Sequence, residues 1–152
     1  RALIQRVTEA AVTVDGSETG RIGAGVMVLL GVKQGDGPDD AKTLAKKTAG
    51  LRVFPSADGL KEMDRDVVAS GGEALVVSQF TLYADTSRGR RPGFEDAARA
   101  DEARALYERY VAELRSLVPV VREGVFQARM RVSLVNDGPI TILLDTEHSA
   151  RV

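Results

Sequence analysis

The chain has 152 residues, 43% hydrophobic and 28% charged, with 21 Lys+Arg against 22 Asp+Glu and a formal net charge of −1. That suits an ordinary globular domain with one core, and it excludes a protein that grips nucleic acid by bulk positive charge, though not one with a local basic patch. The chain has no cysteine and one histidine, His148, which excludes disulfides, thiolate nucleophiles, iron–sulfur and cysteine zinc sites, and a histidine-rich metal centre within one chain.

Ala2-Leu3-Ile4-Gln5-Arg6-Val7 and Ala11-Val12-Thr13-Val14 are rich in β-branched and aliphatic residues and read as two strands. Asp15-Gly16 marks a turn, with Thr19 to Ile22 returning as a hairpin partner. After Gly23 and Gly25, the apolar run Val26 to Val32 reads as a buried strand. Pro38 opens a helix carrying Ala41, Leu44, Ala45 and Thr48 on one face, and Gly50 stops it. Leu51 to Phe54 is expected as a short strand, and residues 55–72 give no clear pattern. Ala74 to Thr81 reads as the clearest strand, followed by an Arg- and Gly-containing loop from Asp85 to Phe94. Asp101 begins a helix whose apolar stripe runs through Ala103, Leu106, Tyr107, Tyr110, Val111, Leu114 and Leu117, with Pro119 after it. Val120 to Glu123, Met130 to Asn136 and Ile140 to Leu144 read as strands, with Asn136-Asp137-Gly138-Pro139 as a tight turn and 145–152 as a flexible tail.

The expected fold is therefore α+β: a curved, mostly antiparallel sheet or open β-barrel flanked by two main helices, forming a single domain over 1–152. Arg1 to Ala11 lacks the apolar segment of a signal peptide, and no run approaches the ~20 apolar residues of a membrane helix. The simplest expectation is a cytoplasmic protein without a membrane partner.

Residue types narrow the chemistry. A Ser-His-Asp triad would have to use His148, in the tail. No G-x-G-x-x-G follows a strand and no P-loop occurs; Gly20-Arg21-Ile22-Gly23-Ala24-Gly25 reads as hairpin punctuation. The carboxylates are scattered, and neither a metal nor a cofactor is expected. Two segments stand out. In Ser78-Gln79-Phe80-Thr81-Leu82, polar side chains sit at the exit of an apolar strand; in Asn136-Asp137-Gly138-Pro139-Ile140-Thr141, a Gly-Pro bond is open to the cis form.

Taken together, these segments resemble the D-aminoacyl-tRNA deacylase family. The resemblance extends over nearly the whole chain, through Leu3-Ile4-Gln5-Arg6-Val7, Gly23-Ala24-Gly25, Arg91-Pro92-Gly93-Phe94, Phe126, Met130 and Val132-Ser133-Leu134-Val135-Asn136. It implies hydrolysis of the ester between a D-amino acid and tRNA by a homodimer with two composite sites and no DNA partner. Ser78, Gln79, Phe80 and Thr81 would line the catalytic pocket. Gly138 and Pro139 would form a cis element lent by the opposite subunit, held in orientation by Arg6, and Phe126 and Met130 would lie near the aminoacyl group. Such an element rejects L-aminoacyl groups by steric exclusion and accepts many D-amino acids, with glycine. Thr81 is the nucleophile that the motif suggests, but no histidine, cysteine or lysine stands in these segments to activate it. The preferred alternative is attack by water, with backbone N–H groups near Phe80 and Thr81 holding the oxyanion and the terminal ribose 2′-hydroxyl assisting. Arg88, Arg90 and Arg91 are expected to meet phosphates near the acceptor end of the aminoacylated tRNA. Competing readings are a non-catalytic RNA-binding, translation-associated β-barrel and an esterase or amidase of other D-amino acid derivatives. The resemblance is imperfect at Gly59-Leu60-Lys61-Glu62-Met63-Asp64 and in the longer segment after Leu144.

Overall fold

The computed structural model describes residues 1–148. β1 (Ala2–Val14) is one long strand rather than the two expected, and it organises the sheet. One of its edges pairs antiparallel with β3 (Gly25–Leu30) over its first half and with β2 (Ser17–Ile22) over its second. The other edge pairs antiparallel with β6 (Arg131–Leu144) along nearly its full length. β4 (Glu73–Ser78) joins β3 in parallel, and β5 (Val121–Glu123) joins β4 in parallel. The sheet is thus mixed, antiparallel around β1 and parallel beyond β3. Its outer strands curl towards each other: a Cβ added at Gly20 in β2 would lie 2.6 Å from the Glu123 carbonyl oxygen in β5. The result is a nearly closed barrel flanked by two helices, the α+β arrangement expected from the sequence.

Two apolar layers hold it together. Val7, Val12, Ile22, Met27, Leu75 and Val77 fill the interior of the curved sheet. On the other face, α1 (Pro38–Ala49) and α2 (Ala100–Arg115) pack over Ile4, Val26, Val28 and Val76. α1 starts where Pro38 occupies its first turn and the Asp40 carboxylate accepts the Gly37 N–H at 2.9 Å. The helices are tied by a buried hydrogen bond from the Tyr110 hydroxyl to Thr48 Oγ1 at 2.8 Å. Burial pushes the Tyr110 phenol up, so it stays neutral and serves as a donor.

Several sequence expectations change. Leu51 to Phe54 is not a strand; only Phe54 bridges, to Arg65, and 55–72 folds into compact turns such as Ser56 N–H to Lys61 O. The strand expected to reach Thr81 stops at Ser78, and Phe80–Tyr83 is a 3₁₀ turn. Leu117 lies past the end of α2 and is 39% exposed rather than part of its buried stripe. The two strands expected around Gly138-Pro139 are one, β6, from which that dipeptide bulges. Asp145 to His148, expected in the tail, include a 3₁₀ turn, and Arg1 Nε donates to Asp145 at 2.8 Å; the remainder, 149–152, lies outside the described residues. No helix among the described residues is long and apolar enough to cross a membrane.

Gly25 shows how tightly β3 and β4 fit, since an added Cβ would sit 1.9 Å from the Glu73 carbonyl oxygen; at Gly23 nothing lies within 4 Å. Gly25→Ala should therefore lower unfolding free energy by about 3 kcal/mol in urea melts. Gly23→Ala should change it by less than about 0.5 kcal/mol.

Candidate active site

β3 and β4 run parallel and end side by side, at Leu30 and Ser78. The Gln79 N–H still reaches Leu30 O at 2.8 Å, and then the chain folds into the 3₁₀ turn. Gly31 permits that fold, because a Cβ there would come within 3.1 Å of Gln79 O and Leu82 Cβ. The first bond of the turn runs from Leu82 N–H to Gln79 O at 3.3 Å, so the Phe80 and Thr81 amides precede it. Phe80 remains 55% exposed and meets Phe94 edge-on, with ring centroids 5.0 Å apart.

Beside this turn lies an open, mainly apolar cavity of about 640 Å³. Ser78, Gln79 and Phe80 form one wall, and Phe126 and Met130 another, so five of the residues expected at the site do meet there. Phe126 leans on the Tyr107 ring at 5.7 Å, while the Val125 N–H points to Met130 Sδ at 3.3 Å. Thr81 is exposed at the rim and does not line the cavity. Its side chain receives a hydrogen bond from the Gln79 amide, and no base contacts it among the described residues.

Gly138, Pro139 and Arg6 are elsewhere. Arg6 is the single residue of β1 set against the β6 segment 137–140, between the pairs Val7↔Asn136 and Gln5↔Thr141. The dipeptide is thereby extruded and exposed, with a cis Gly138–Pro139 bond and Gly138 at φ +122°. Arg6 is only 6% exposed. Its Nε donates to the Asp137 carbonyl oxygen at 3.2 Å and pairs with the Asp137 carboxylate, while Nη1 donates to Val53 O at 2.7 Å. Asn136 finishes the bulge by accepting the Ile140 N–H at 3.1 Å. This hook does not line the cavity of its own chain.

Arg88, Arg90 and Arg91 lie on an exposed loop whose base is clamped by two reciprocal Asp85–Gly93 backbone hydrogen bonds of 2.8 Å. None of the three forms an ion pair with a described residue. Hydrogen bonds from Ser87, side chain and backbone, hold the Asp85 carboxyl below the usual carboxylate range. Sequence reasoning missed Phe94, Gln127 and the alanines Ala97, Ala98, Ala100 and Ala103 as cavity wall. Alanine at helical spacing reads as core, and the signal available was the cluster of small residues before α2.

The barrel, its flanking helices and the strand-end cavity are those of the tRNA deacylase class of ester hydrolases: residues 3–145 match the family described as D-Tyr-tRNA(Tyr) deacylase. A D-aminoacyl-tRNA deacylase of Syntrophotalea carbinolica is 60% identical over 96% of this chain and 97% of its own length, and one of Chromobacterium violaceum is 52% identical over 97% and 98%. The chain belongs to the D-aminoacyl-tRNA deacylase family. Among solved structures, one described as c-Myc DNA Unwinding Element Binding Protein superimposes with TM-score 0.91 at 37% identity, covering 95% of this chain and 97% of that one. A probable eukaryotic D-amino acid tRNA deacylase shares the fold, with TM-score 0.77 and 19% identity over 93% and 96% of the two chains.

Proposed function

We propose that the chain removes D-amino acids, and glycine, from tRNA in the cytoplasm, acting as a homodimer in which each protomer's hook completes the other's cavity. The observation that carries this reading is the separation of the two parts. The cavity and the Gly138-Pro139 hook occupy different places on one chain, and each is incomplete as a site. A second copy also has a surface to cover. Among the described residues β6 pairs only with β1, and Leu29, Leu3 and Leu143 sit side by side across β3, β1 and β6, with Leu143 52% and Val135 49% exposed. A two-fold interface there gives two equivalent sites.

In this arrangement the hook's carbonyl groups accept hydrogen bonds from the substrate α-ammonium and leave no room for an L side chain. Specificity by exclusion needs no contact with the D side chain, and glycine has none to exclude. Water attacks the ester carbonyl carbon, and the Phe80 and Thr81 amides stabilise the oxyanion. The bond to the ribose oxygen then breaks, and the neighbouring 2′-hydroxyl relays a proton from the water to that oxygen. Free D-amino acid and tRNA result. Thr81 is a poor nucleophile here, because its hydroxyl is held by an amide donor, not by a base. Ser78 and Gln79 shape the wall, and the Arg88, Arg90 and Arg91 loop meets acceptor-end phosphates.

Paired D- and L-aminoacyl-tRNA, with a free D-amino acid ester as control, tests the function. Only the D-aminoacyl-tRNA should be deacylated rapidly. Cleavage of the free ester alone would favour a general esterase, and binding of tRNA without cleavage a non-catalytic RNA-binding barrel. Val135→Asp with Leu143→Asp should give monomers in sedimentation and cut deacylation by at least about 100-fold, as expected when half of each site is removed. Thr81→Ala should keep activity within about tenfold, whereas a 2′-deoxy terminal adenosine should slow cleavage by about 100-fold or more. An inactive Thr81→Ala that still folds and binds tRNA would restore threonine as nucleophile.

A further inference from the structure

α2 carries three arginines, and they behave differently. Arg109 pairs with Glu113 at 2.7 Å, and Arg115 pairs with Glu123 at 2.6 Å. Arg104 has the same opportunity, with Asp101 three residues before it and Glu108 four after, at positions that face it on a helix. It pairs with neither among the described residues. Its guanidinium lies over the Phe126 ring instead, 4.6 Å from the centroid, and Nη2 donates a long bond of 3.4 Å to Gln127 Oε1. Phe126, Gln127 and Ala103 all line the cavity.

The partner Gln127 is itself unusual. It has φ +63°, in the left-handed region, at the third position of a turn closed by Ala128 N–H to Val125 O at 3.1 Å. Glycine or asparagine is the common choice at such a position. A glutamine there brings an amide oxygen to the guanidinium. An exposed cation thus pairs with neither helix carboxylate and lies instead over a ring that lines the cavity, with one hydrogen bond to a described residue and most of its five N–H donors unused.

We infer that Arg104 holds the phosphodiester that joins the esterified terminal nucleoside of the tRNA to the nucleotide before it. This rests on the proposed function, in which the terminal aminoacyl nucleoside occupies the cavity. The nearest backbone phosphate then lies one nucleotide from the reacting ester, at the cavity's edge. A guanidinium is suited to that group because its planar donors match phosphate oxygens in pairs. Stacking on Phe126 fixes its plane and reduces the freedom lost on binding. Arg88, Arg90 and Arg91, on their separate loop, are left to meet phosphates further along the strand.

The test compares a D-aminoacyl-tRNA with the corresponding D-aminoacyl ester of adenosine, which has no phosphate. In Arg104→Gln, KM for the tRNA should rise about tenfold while kcat stays within about twofold, and KM for the adenosine ester should not follow it. Arg104→Lys, which retains the charge but not the planar paired donors, should recover only part of the loss. It also guards against misfolding of the glutamine variant, whose fold is checked by circular dichroism. Binding of uncharged tRNA should show a log–log salt slope shallower by about 0.7 in Arg104→Gln. An equal rise in KM for both substrates would mean that Arg104 serves only to brace Phe126, and the inference fails. It fails too if the salt slope is unchanged. Should the unaltered protein leave D-aminoacyl-tRNA intact, the proposed function falls, and the salt slope still decides whether Arg104 meets a phosphate.

Discussion

A guanidinium in the middle of a buried strand has to find acceptors where it stands, and Arg6 finds them in two segments that are distant in sequence. It donates to Val53 O, after α1, and to Asp137, at the head of the β6 bulge. Leaving such a buried guanidinium without its carbonyl acceptor typically costs about 1–3 kcal/mol, because a desolvated group is left without its partner. The hook is therefore fixed by the core and not by its own loop. Room for it follows from register: one residue of β1 faces four of β6, and the surplus must leave the sheet. Asn136 then closes the bulge from within, and its amide also donates to Thr141 Oγ1 at 3.0 Å.

The cavity follows from a different constraint. Parallel strands that end together leave main-chain groups and a crevice at their carboxyl ends, a common place for a site in sheets of this kind. Here β4 ends at Ser78 and the chain turns back over Gly31, where an added Cβ would be tightly packed at 3.1 Å from Gln79 O and Leu82 Cβ. The same contraction that ends the strand leaves the Phe80 and Thr81 amides ahead of the first hydrogen bond of the turn. A pocket that lacks histidine, cysteine and lysine in its motif segments can still offer polar hydrogens, provided by the backbone.

Much of this was legible in the sequence. β3, β4 and both helices follow from apolar runs, from helical spacing and from Pro38 and Gly50. Ser78, Gln79, Phe80, Phe126 and Met130 were identified through their family pattern, and they do gather at one cavity. The misreadings have physical causes. Phe80-Thr81-Leu82-Tyr83 has high strand propensity, and the 3₁₀ turn it forms packs closely on Gly31, a contact invisible in the local sequence. The polar Thr8-Glu9 interrupts the apolar run, so 2–7 and 11–14 read as two strands, yet the backbone continues through register shifts against β6. Asn-Asp-Gly-Pro has the chemistry of a reversal, but the strand resumes in the same direction because Arg6 anchors its first half and Thr141 re-enters the ladder opposite Gln5. Gln127 and Arg104 carried no signal. Their pairing joins a turn to a helix, and nothing in either segment announces the other.

Charge limits how much of a tRNA such a protein can hold. With a net charge of −1, bulk positive charge does not hold an RNA, and phosphate contacts must come from local groups of cations. Most of the arginines on α2 are spent on neighbouring carboxylates, as at Arg109 and Arg115. Arg88, Arg90 and Arg91 make no ion pair with a described residue and lie on an exposed loop close in sequence after the 3₁₀ turn, and Arg104 lies over the Phe126 ring of the cavity lining. That distribution suits a protein that touches only the last few nucleotides. A short grip of this kind carries little information about which tRNA is bound, so discrimination must come from the cavity and whatever closes it. In the proposed dimer that closing group is main chain held by a buried arginine, which is indifferent to side-chain identity on one hand and intolerant of it on the other. Broad acceptance of D-aminoacyl groups and rejection of L-aminoacyl groups are then two consequences of one rigid surface.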